Sequence, residues 1–457
     1  MKEGELMKKG LRAVLAAAVV FVAAVLAGCS DYNVFSVDSL LKPPKLTGEN
    51  TELQKVFEAD VGANASLVRP VSGDYRSAYV LYDYDGDDTN EAIVFYTPKD
   101  TTGEARIHFL KYDSDKETWN SVADLKGNGT SVYSVSFCNF DNDDTKEIAV
   151  VWQFSDGNKE KSLAVYRHCE PSANDSNGFK SIATVRITDY FAYDINSDDS
   201  EELIYTFIDP AEENPAVLLK CAKFSAETEL FESVSEVNLD NRISGFMSYA
   251  HDVQDEGYVF YFDAQIGDGK YITDIAYFDN EKSAFVRPVD ERGVPLSEKT
   301  VTSQYTKSED VDGDGIVEIA RLKILDNSYS VSEEGGTKEA IYRTEYFHFT
   351  GLSFKSMGSY YVCDDLWLRI KIDSYSEYAD IIYDVYNGQI KFIEKKENAD
   401  EDDDLLFRVY LSSEDSRHSS GASAVRVSVT DLGKTHELDF DTIKQDIDYF
   451  GDQNETE

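Results

Sequence analysis

Short runs of strand-forming residues, separated by polar turns, recur along this chain. One stretch shows the pattern plainly. "SVYSVSFCNFD" reads as a strand entering an acidic turn, "EIAVVWQF" leaves that turn as a second strand, and "KSLAVYRH" and "FKSIATVRI" supply a third and a fourth. Four such strands make one small antiparallel sheet, which cannot bury both faces alone; stacking of successive sheets supplies the missing contacts. The pattern repeats. "DYDGDDTNEAIVFY" starts at Asp83, "NFDNDDTKEIAVVW" at Asn139, "DINSDDSEELIYTF" at Asp194 and "DVDGDGIVEIARLK" at Asp310, at intervals of 56, 55 and 116 residues. The last interval is about two periods, so a further copy belongs near residue 250. "HDVQDEGYVFYFDA" stands there, keeping the strand Tyr258 to Phe262 and losing the alternating acids. Five repeats with a period of about 57 residues predict an all-β chain built of four-stranded units.

The flanks read differently. "DYNVFSVDSLLKPPKLTGEN" is extended and Pro-containing, and "NTELQKVFEAD" puts Leu53, Val56 and Phe57 at helical spacing behind Thr51 as a cap, so residues 29–72 read as a tether with a short helix. Residues 73–361 hold the repeats. In residues 362–457 the rhythm is no longer visible, although "LWLRIKID", "ADIIYDVYNGQIKFIEK", "LLFRVYLSS" and "SAVRVSVTDLGKTHELDF" read as strands, with a hairpin turn at Tyr386-Asn387-Gly388-Gln389. "DTIKQDIDYF" reads as a short helix and Glu397 to Asp404 as a solvated acidic loop. This segment is expected to be a separate β-rich or small α+β module; one or two degenerate units, making six or seven in all, are the alternative.

At the N-terminus Lys8, Lys9 and Arg12 precede "AVLAAAVVFVAAVLAGC", too short and Ala-rich for a permanent transmembrane helix. The run ends in Leu26-Ala27-Gly28-Cys29, which resembles the lipobox of bacterial lipoproteins. That resemblance implies that residues 1–28 are a signal peptide, that the Cys29 thiol receives diacylglycerol, and that the protein is held by lipid on the outer side of a membrane in the cell envelope. An ordinary cleaved signal with a chance cysteine is the alternative. Glu3 and Glu5 are unusual in a targeting region, so Met7 is an alternative start.

Composition narrows the function classes. Of 457 residues, 42% are hydrophobic and 12% aromatic, enough for a large core; 29 Tyr and 25 Phe against 9 Pro lean towards β-structure. A formal net charge of −43 argues against nucleic acid or an anionic membrane as partner through a basic face. Cys138, Cys169, Cys221 and Cys363 form no CxxC and have no companion histidines, so no zinc or redox motif is readable. Each lies in or beside an apolar segment and reads as a buried thiol, with no particular bridge predicted. The six histidines are scattered, and "SEDSRHSSG" around His418 reads as a polar loop.

The acidic turns carry the candidate chemistry. Acids on alternate residues repel one another unless a cation sits among them, and calcium takes six to eight hard oxygen ligands. In the first copy Asp83, Asp85 and Asp87 would give side-chain oxygens, Thr89 its carbonyl and Glu91 the closing carboxylate. The fourth assigns these roles to Asp310, Asp312, Asp314, Ile316 and Glu318; a backbone ligand leaves the Ile316 side chain free to be anything. The second offers Asn139, Asp141, Asp143, Thr145 and Glu147, and the third Asp194, Asn196, Asp198, Ser200 and Glu202. An EF-hand would need Glu at position twelve, where Val94 and Arg321 stand. Turn preference alone explains one Asp-rich cluster, but not Glu recurring at position nine four times. Two to four structural calcium ions are expected, each adding its binding free energy to folding.

With D-x-D-x-D-G-x-x-[DE] followed by an apolar strand, Ser77 to Tyr361 resembles the FG-GAP or VCBS-type repeats of β-propellers, as in the integrin α-chain head. Gly follows the third acid only in the last copy, as Gly315, and the FG-GAP dipeptides are not evident. The resemblance implies a β-propeller of at least five blades with calcium loops, and a noncatalytic binding or scaffolding protein that holds a protein or glycan partner. The alternative is a polysaccharide-active lyase or glycosidase. With 87 acidic residues some carboxylate pairs are bound to be close, and nothing in the sequence selects one.

Overall fold

Strand periodicity becomes sheets in the computed structural model, which describes residues 49–62, 65–99, 103–154, 161–169, 178–209, 216–253, 257–332, 336–351, 353–396, 404–412 and 424–450. The signal segment, Cys29, the tether up to residue 48, the His418 loop and the acidic run from Glu397 to residue 403 lie outside them. Residues 49–62 and 113–120 belong to one compact unit and the remaining described residues to a second. In the first, α1 (Glu49–Val61) begins two residues before Thr51 and buries Leu53 and Phe57.

The first sheet holds β1 (Ser66–Leu67), β2 (Tyr79–Tyr82), β3 (Glu91–Thr97), β4 (Arg106–Asp113) and β5 (Thr118–Lys126). β1, from the stretch read as tether, pairs with the end of β3 through Ser66 and Thr97. The next sheet runs in sequence order through β6 (Ser131–Cys138), β7 (Glu147–Gln153), β8 (Lys161–His168) and β9 (Phe179–Ile187), the four runs read from the sequence. The third holds β10 (Asp189–Tyr193), β11 (Glu202–Asp209), β12 (Ala216–Ser225) and β13 (Leu230–Asn238); the fourth holds β14 (Gly245–Val253), β15 (Gly257–Ile266), β16 (Lys270–Asp279) and β17 (Ala284–Val286). The last three are antiparallel meanders, and in the first β1 and β2 both pair antiparallel with β3.

Burial falls across each sheet for a reason visible in its residues. β3 and β7 are apolar on both parities and buried on both faces, as strands covered on two sides must be. β13, with charged or polar residues at most positions, is largely exposed and forms an edge. The two-residue side-chain period then joins consecutive sheets. Ile148, Val150 and Trp152 of β7 pack with Ile93, Phe95 and Ile107 of the first sheet, while Ala149 and Val151 face Leu203 and Phe224 of the third. In β15, Phe260 and Phe262 pack with Ile204 and Leu219, while Val259 and Tyr261 pack with Ile319 and Phe349 of the sheet that follows.

That last sheet has nine strands and is barrel-like and near-closed. β18 (Ile319–Val331), β19 (Lys338–Phe349), β20 (Phe354–Cys363) and β21 (Leu368–Lys371) continue the meander, and β22 (Ala379–Asp384), β23 (Gln389–Glu394), β24 (Leu405–Ser412) and β25 (Ala424–Val429) add a second one. The two meet because β18 is irregular between Ile324 and Tyr329, after which Tyr329–Val331 pairs in parallel with Ile382–Asp384. β26 (Ile447–Tyr449) joins β21. The sequence stretch from Ala424 to Phe440 is strand only as far as Val429: the Thr430 side chain accepts from the Gly433 amide and starts α2 (Asp431–Thr435). Asp439 caps α3 (Phe440–Gln445) in the same way.

Candidate metal centres

Each acidic turn links two consecutive antiparallel strands: β2 to β3, β6 to β7, β10 to β11, and, in the last sheet, the single bridge at Glu309 to β18. Strands flank the turns, so the EF-hand is excluded by geometry as well as by position twelve. In the copy near residue 250 the turn itself, residues 254–256, lies outside the described residues.

Within the turns one set of local bonds recurs. The first acid folds the loop by accepting from amides three to five residues on: Asp83 from Gly86 at 2.8 Å and Asp88 at 2.9 Å, Asp194 from Asp198 and Asp199, and Asp310 from Gly313 and Gly315. Positive φ at Gly86 and Asp88, and at Gly313 and Gly315, lets the chain curl around that carboxylate. The third acid accepts from the amide two positions later, at Thr89, Thr145, Ser200 and Ile316. The glutamate at position nine closes the ring. Through Oε2, Glu91, Glu147, Glu202 and Glu318 accept from the amides of Tyr84, Phe140, Ile195 and Val311 at 2.9–3.1 Å.

These glutamates are almost wholly buried, and their second oxygens separate the four loops. Glu91 Oε1 has no hydrogen-bond partner among the described residues and Asp85 Oδ1 has none either. Glu147 Oε1 has Arg167 Nε at 3.8 Å and Glu318 Oε1 has His348 Nδ1 at 3.6 Å, both beyond hydrogen-bond distance. In the third loop, by contrast, Asn196 Nδ2 donates to Glu202 Oε1 at 2.6 Å. The carboxylates feel the strain. Burial, then the charge of Asp85, pushes Glu91 up to about 7; burial raises Glu147, reinforced by Asp141, and raises Glu318, reinforced by Asp312 and Asp314.

Oxygens of Asp83, Asp85, Asp87 and Glu91 lie within 4.8 Å of one another, as do those of Asp310, Asp312 and Asp314, with Glu318 outside that group. The other two loops do not form such a group of carboxylates among the described residues. Asn139 donates its amide to Glu201 Oε2 at 2.7 Å and its carbonyl accepts from the Glu201 amide, which ties the second loop to the third.

Cations that the sequence reading passed over stand beside the acids. Lys111 Nζ contacts Asp85 and lies 2.9 Å from Asp87 Oδ2; Arg167 contacts Asp141 and lies 3.2 Å from Asp143 Oδ2; Lys223 contacts Asp198 and lies 3.7 Å from Glu202 Oε1. All three sit one strand beyond the strand that leaves the turn, 28 or 29 positions after the loop's first residue, and that nearly fixed offset is the signal by which they could have been found. Burial works to raise Asp198, but hydrogen bonds from Lys223 and Ser200 hold it down at about 2. The fourth loop has His348 from β19 in this place.

No protein-family model matches the chain, and no curated protein is similar to it.

The donor sets fit a hard cation: carboxylates on alternate residues with no nitrogen or sulfur ligand among them, exposed in the fourth loop and including two buried oxygens without a hydrogen bond in the first. Asp83, Asp85, Asp87 and Glu91 would hold one ion, and Asp310, Asp312 and Asp314 a second.

Proposed function

We propose that this chain is a calcium-stabilised β-propeller, anchored by lipid at Cys29 in the bacterial envelope, that serves as a noncatalytic binding or scaffolding protein for a protein or glycan partner. The observation that carries the calcium reading is Glu91: it is fully buried, one oxygen accepts from the Tyr84 amide, the other has no hydrogen bond, and its carboxylate lies within 4.8 Å of oxygens from three aspartates. A divalent cation is the simplest group that would satisfy it, and its charge would reverse the repulsion that raises this carboxyl. The propeller reading draws on the consecutive stacking of the sheets, the second, third and fourth of which are four-stranded and packed on both sides by their neighbours.

The test is thermal unfolding of the chain from Ser30 onward in excess calcium and in EGTA, with calorimetric stoichiometry. A higher midpoint in calcium with two to four bound ions is expected. No bound ion and no shift would reduce the loops to acidic turns held by their own lysines and arginine.

A further inference from the structure

A cleft of about 720 Å³ opens against β18 to β21, beside the segment that leads into the fourth acidic turn, and is lined in part by Gln304, Tyr305, Thr306, Lys307 and Glu309. Its size is that of small-ligand sites, roughly 300–1,000 Å³. We propose that it binds a neutral oligosaccharide, which rests on the reading of the protein as a binding module and names its ligand class.

One wall is a built hydrogen-bonding site. Tyr346, 2% exposed, donates its hydroxyl to Glu309 Oε1 at 2.6 Å, and Arg369, 8% exposed, donates Nη2 to the same oxygen at 2.6 Å. The Glu309 backbone is pinned as well, its amide and carbonyl paired with Glu318. Both donors converge on Oε1, so the carboxylate is fixed and Oε2, on a side chain 37% exposed, remains to accept from a ligand hydroxyl. The Arg369 guanidinium is itself held between the rings of Tyr346 and Phe450, at 5.7 and 5.8 Å.

The opposite requirement of a sugar, a flat apolar face for its C–H surface, is met by Tyr305, Tyr342 and Phe450. Tyr305 is 44% exposed yet packs edge-to-face on Tyr271 at 5.7 Å, so the exposed ring is oriented before any ligand arrives. Charge then selects among sugars. Lys307 and Arg369 balance Glu309 and Asp364 around the cleft, while the chain as a whole carries −43 and repels polyanions. The walls are more polar than apolar, unlike the pockets that take hydrophobic peptide side chains.

The full-length chain is titrated by calorimetry with cellotetraose, xylotetraose, mannotetraose and chitotetraose, and with tetragalacturonate as the anionic control, each in calcium and in EGTA. Saturable binding of at least one neutral tetrasaccharide is expected, weakened about tenfold or more in Tyr305→Ala and Glu309→Gln and retained within about threefold in Tyr305→Phe. Unchanged melting temperatures show that the variants are folded. Binding of none of the neutral sugars, binding unaffected by Y305A and E309Q, or preference for tetragalacturonate would overturn the assignment. Chromatography of the bound sugar separates this from the wider reading: cleavage would sink the noncatalytic function while upholding sugar recognition by the cleft.

Discussion

If calcium and Lys111 compete for the first acidic loop, removing the lysine must have opposite effects with and without the ion. Lys111→Met keeps the aliphatic stem and deletes the charge. In EGTA the variant loses the contact with Asp85, whose side chain is 7% exposed, and the bridge to Asp87, which is 41% exposed. The exposed bridge contributes at most about 1 kcal/mol and the more buried one somewhat more, so a loss of about 1–2 kcal/mol and a midpoint lower by about 1–3 °C are expected. With calcium the sign reverses. A doubly charged ion about 5 Å from an ammonium is repelled by roughly 6–7 kcal/mol at the effective dielectric constant of about 20 near a protein surface, and by only about 2 kcal/mol across water. Lys111 is 40% exposed and can swing into water, which discounts this to about 1–2 kcal/mol. Calcium should therefore bind the first loop about five- to thirty-fold more tightly in K111M. Calorimetry in an Asp310→Ala background reads that loop without the fourth, and thermal unfolding in both buffers reads the crossover. An equal loss of stability in calcium and in EGTA, with unchanged affinity, would refute competition between ammonium and ion.

Other outcomes follow from sites away from the loops. The Arg242 hydrogen bond holds Asp240 at about 2, against burial that opposes it; its folded value is depressed, so its contribution of about 2 kcal/mol is complete above pH ~4 and disappears as pH falls through 2. Urea unfolding between pH 2 and 5 should show a shallower acid limb in Asp240→Asn, and superimposable slopes would count against the pair. Gly127→Ala should cost about 1–3 kcal/mol, because the added carbon would lie 2.4 Å from Trp152 Cζ3 and 2.6 Å from the Ala105 carbonyl oxygen; a neutral urea midpoint would mean that this contact yields. Cys29→Ser should abolish incorporation of labelled palmitate and release the protein from membranes, and a labelled variant would dismiss the lipid anchor.

The strands were legible because their chemistry is local. "EIAVVWQF" is apolar on both parities, and the structure buries both faces of β7. The loops were legible for the same reason: position nine is a short-range relation, and the Glu91 to Tyr84 bond spans seven residues. Partner choice at long range was not. Nothing within "IARLKILDNSYSV" announces that its irregularity near Ile324 delivers Tyr329 to Val331 to a parallel partner fifty residues on, yet that pairing joins the last repeat to the C-terminal strands in one sheet. Thr430, a strong cap, was hidden inside a strand-like run. The counter-cations escaped because a single lysine in a strand is unremarkable until the register sets it beside an acidic turn.

That register also orders the four loops on the calcium reading. Each must resolve the same conflict, a buried glutamate facing acids, and the chain offers three solutions. In the third loop the conflict is met internally: Asn196 satisfies Glu202 Oε1 and Lys223 neutralises Asp198, so an ion would have to displace two partners. The first and second loops are half resolved, since Lys111 and Arg167 bind the aspartates while the second oxygens of Glu91 and Glu147 make no hydrogen bond. In the fourth, Asp310, Asp312, Asp314 and Glu318 have only the His348 imidazole nearby, at 3.6 Å from Glu318, and no lysine or arginine bridge among the described residues. Three clustered aspartates with no bridging cation, beside a glutamate that has one imidazole nearby, leave the largest uncompensated charge, and a divalent ion gains most where the least cation must be displaced. Affinity should therefore fall from the fourth loop to the first, then the second, and be least in the third. The lysines and arginine are then the part of the site that sets how many loops fill at a given calcium concentration.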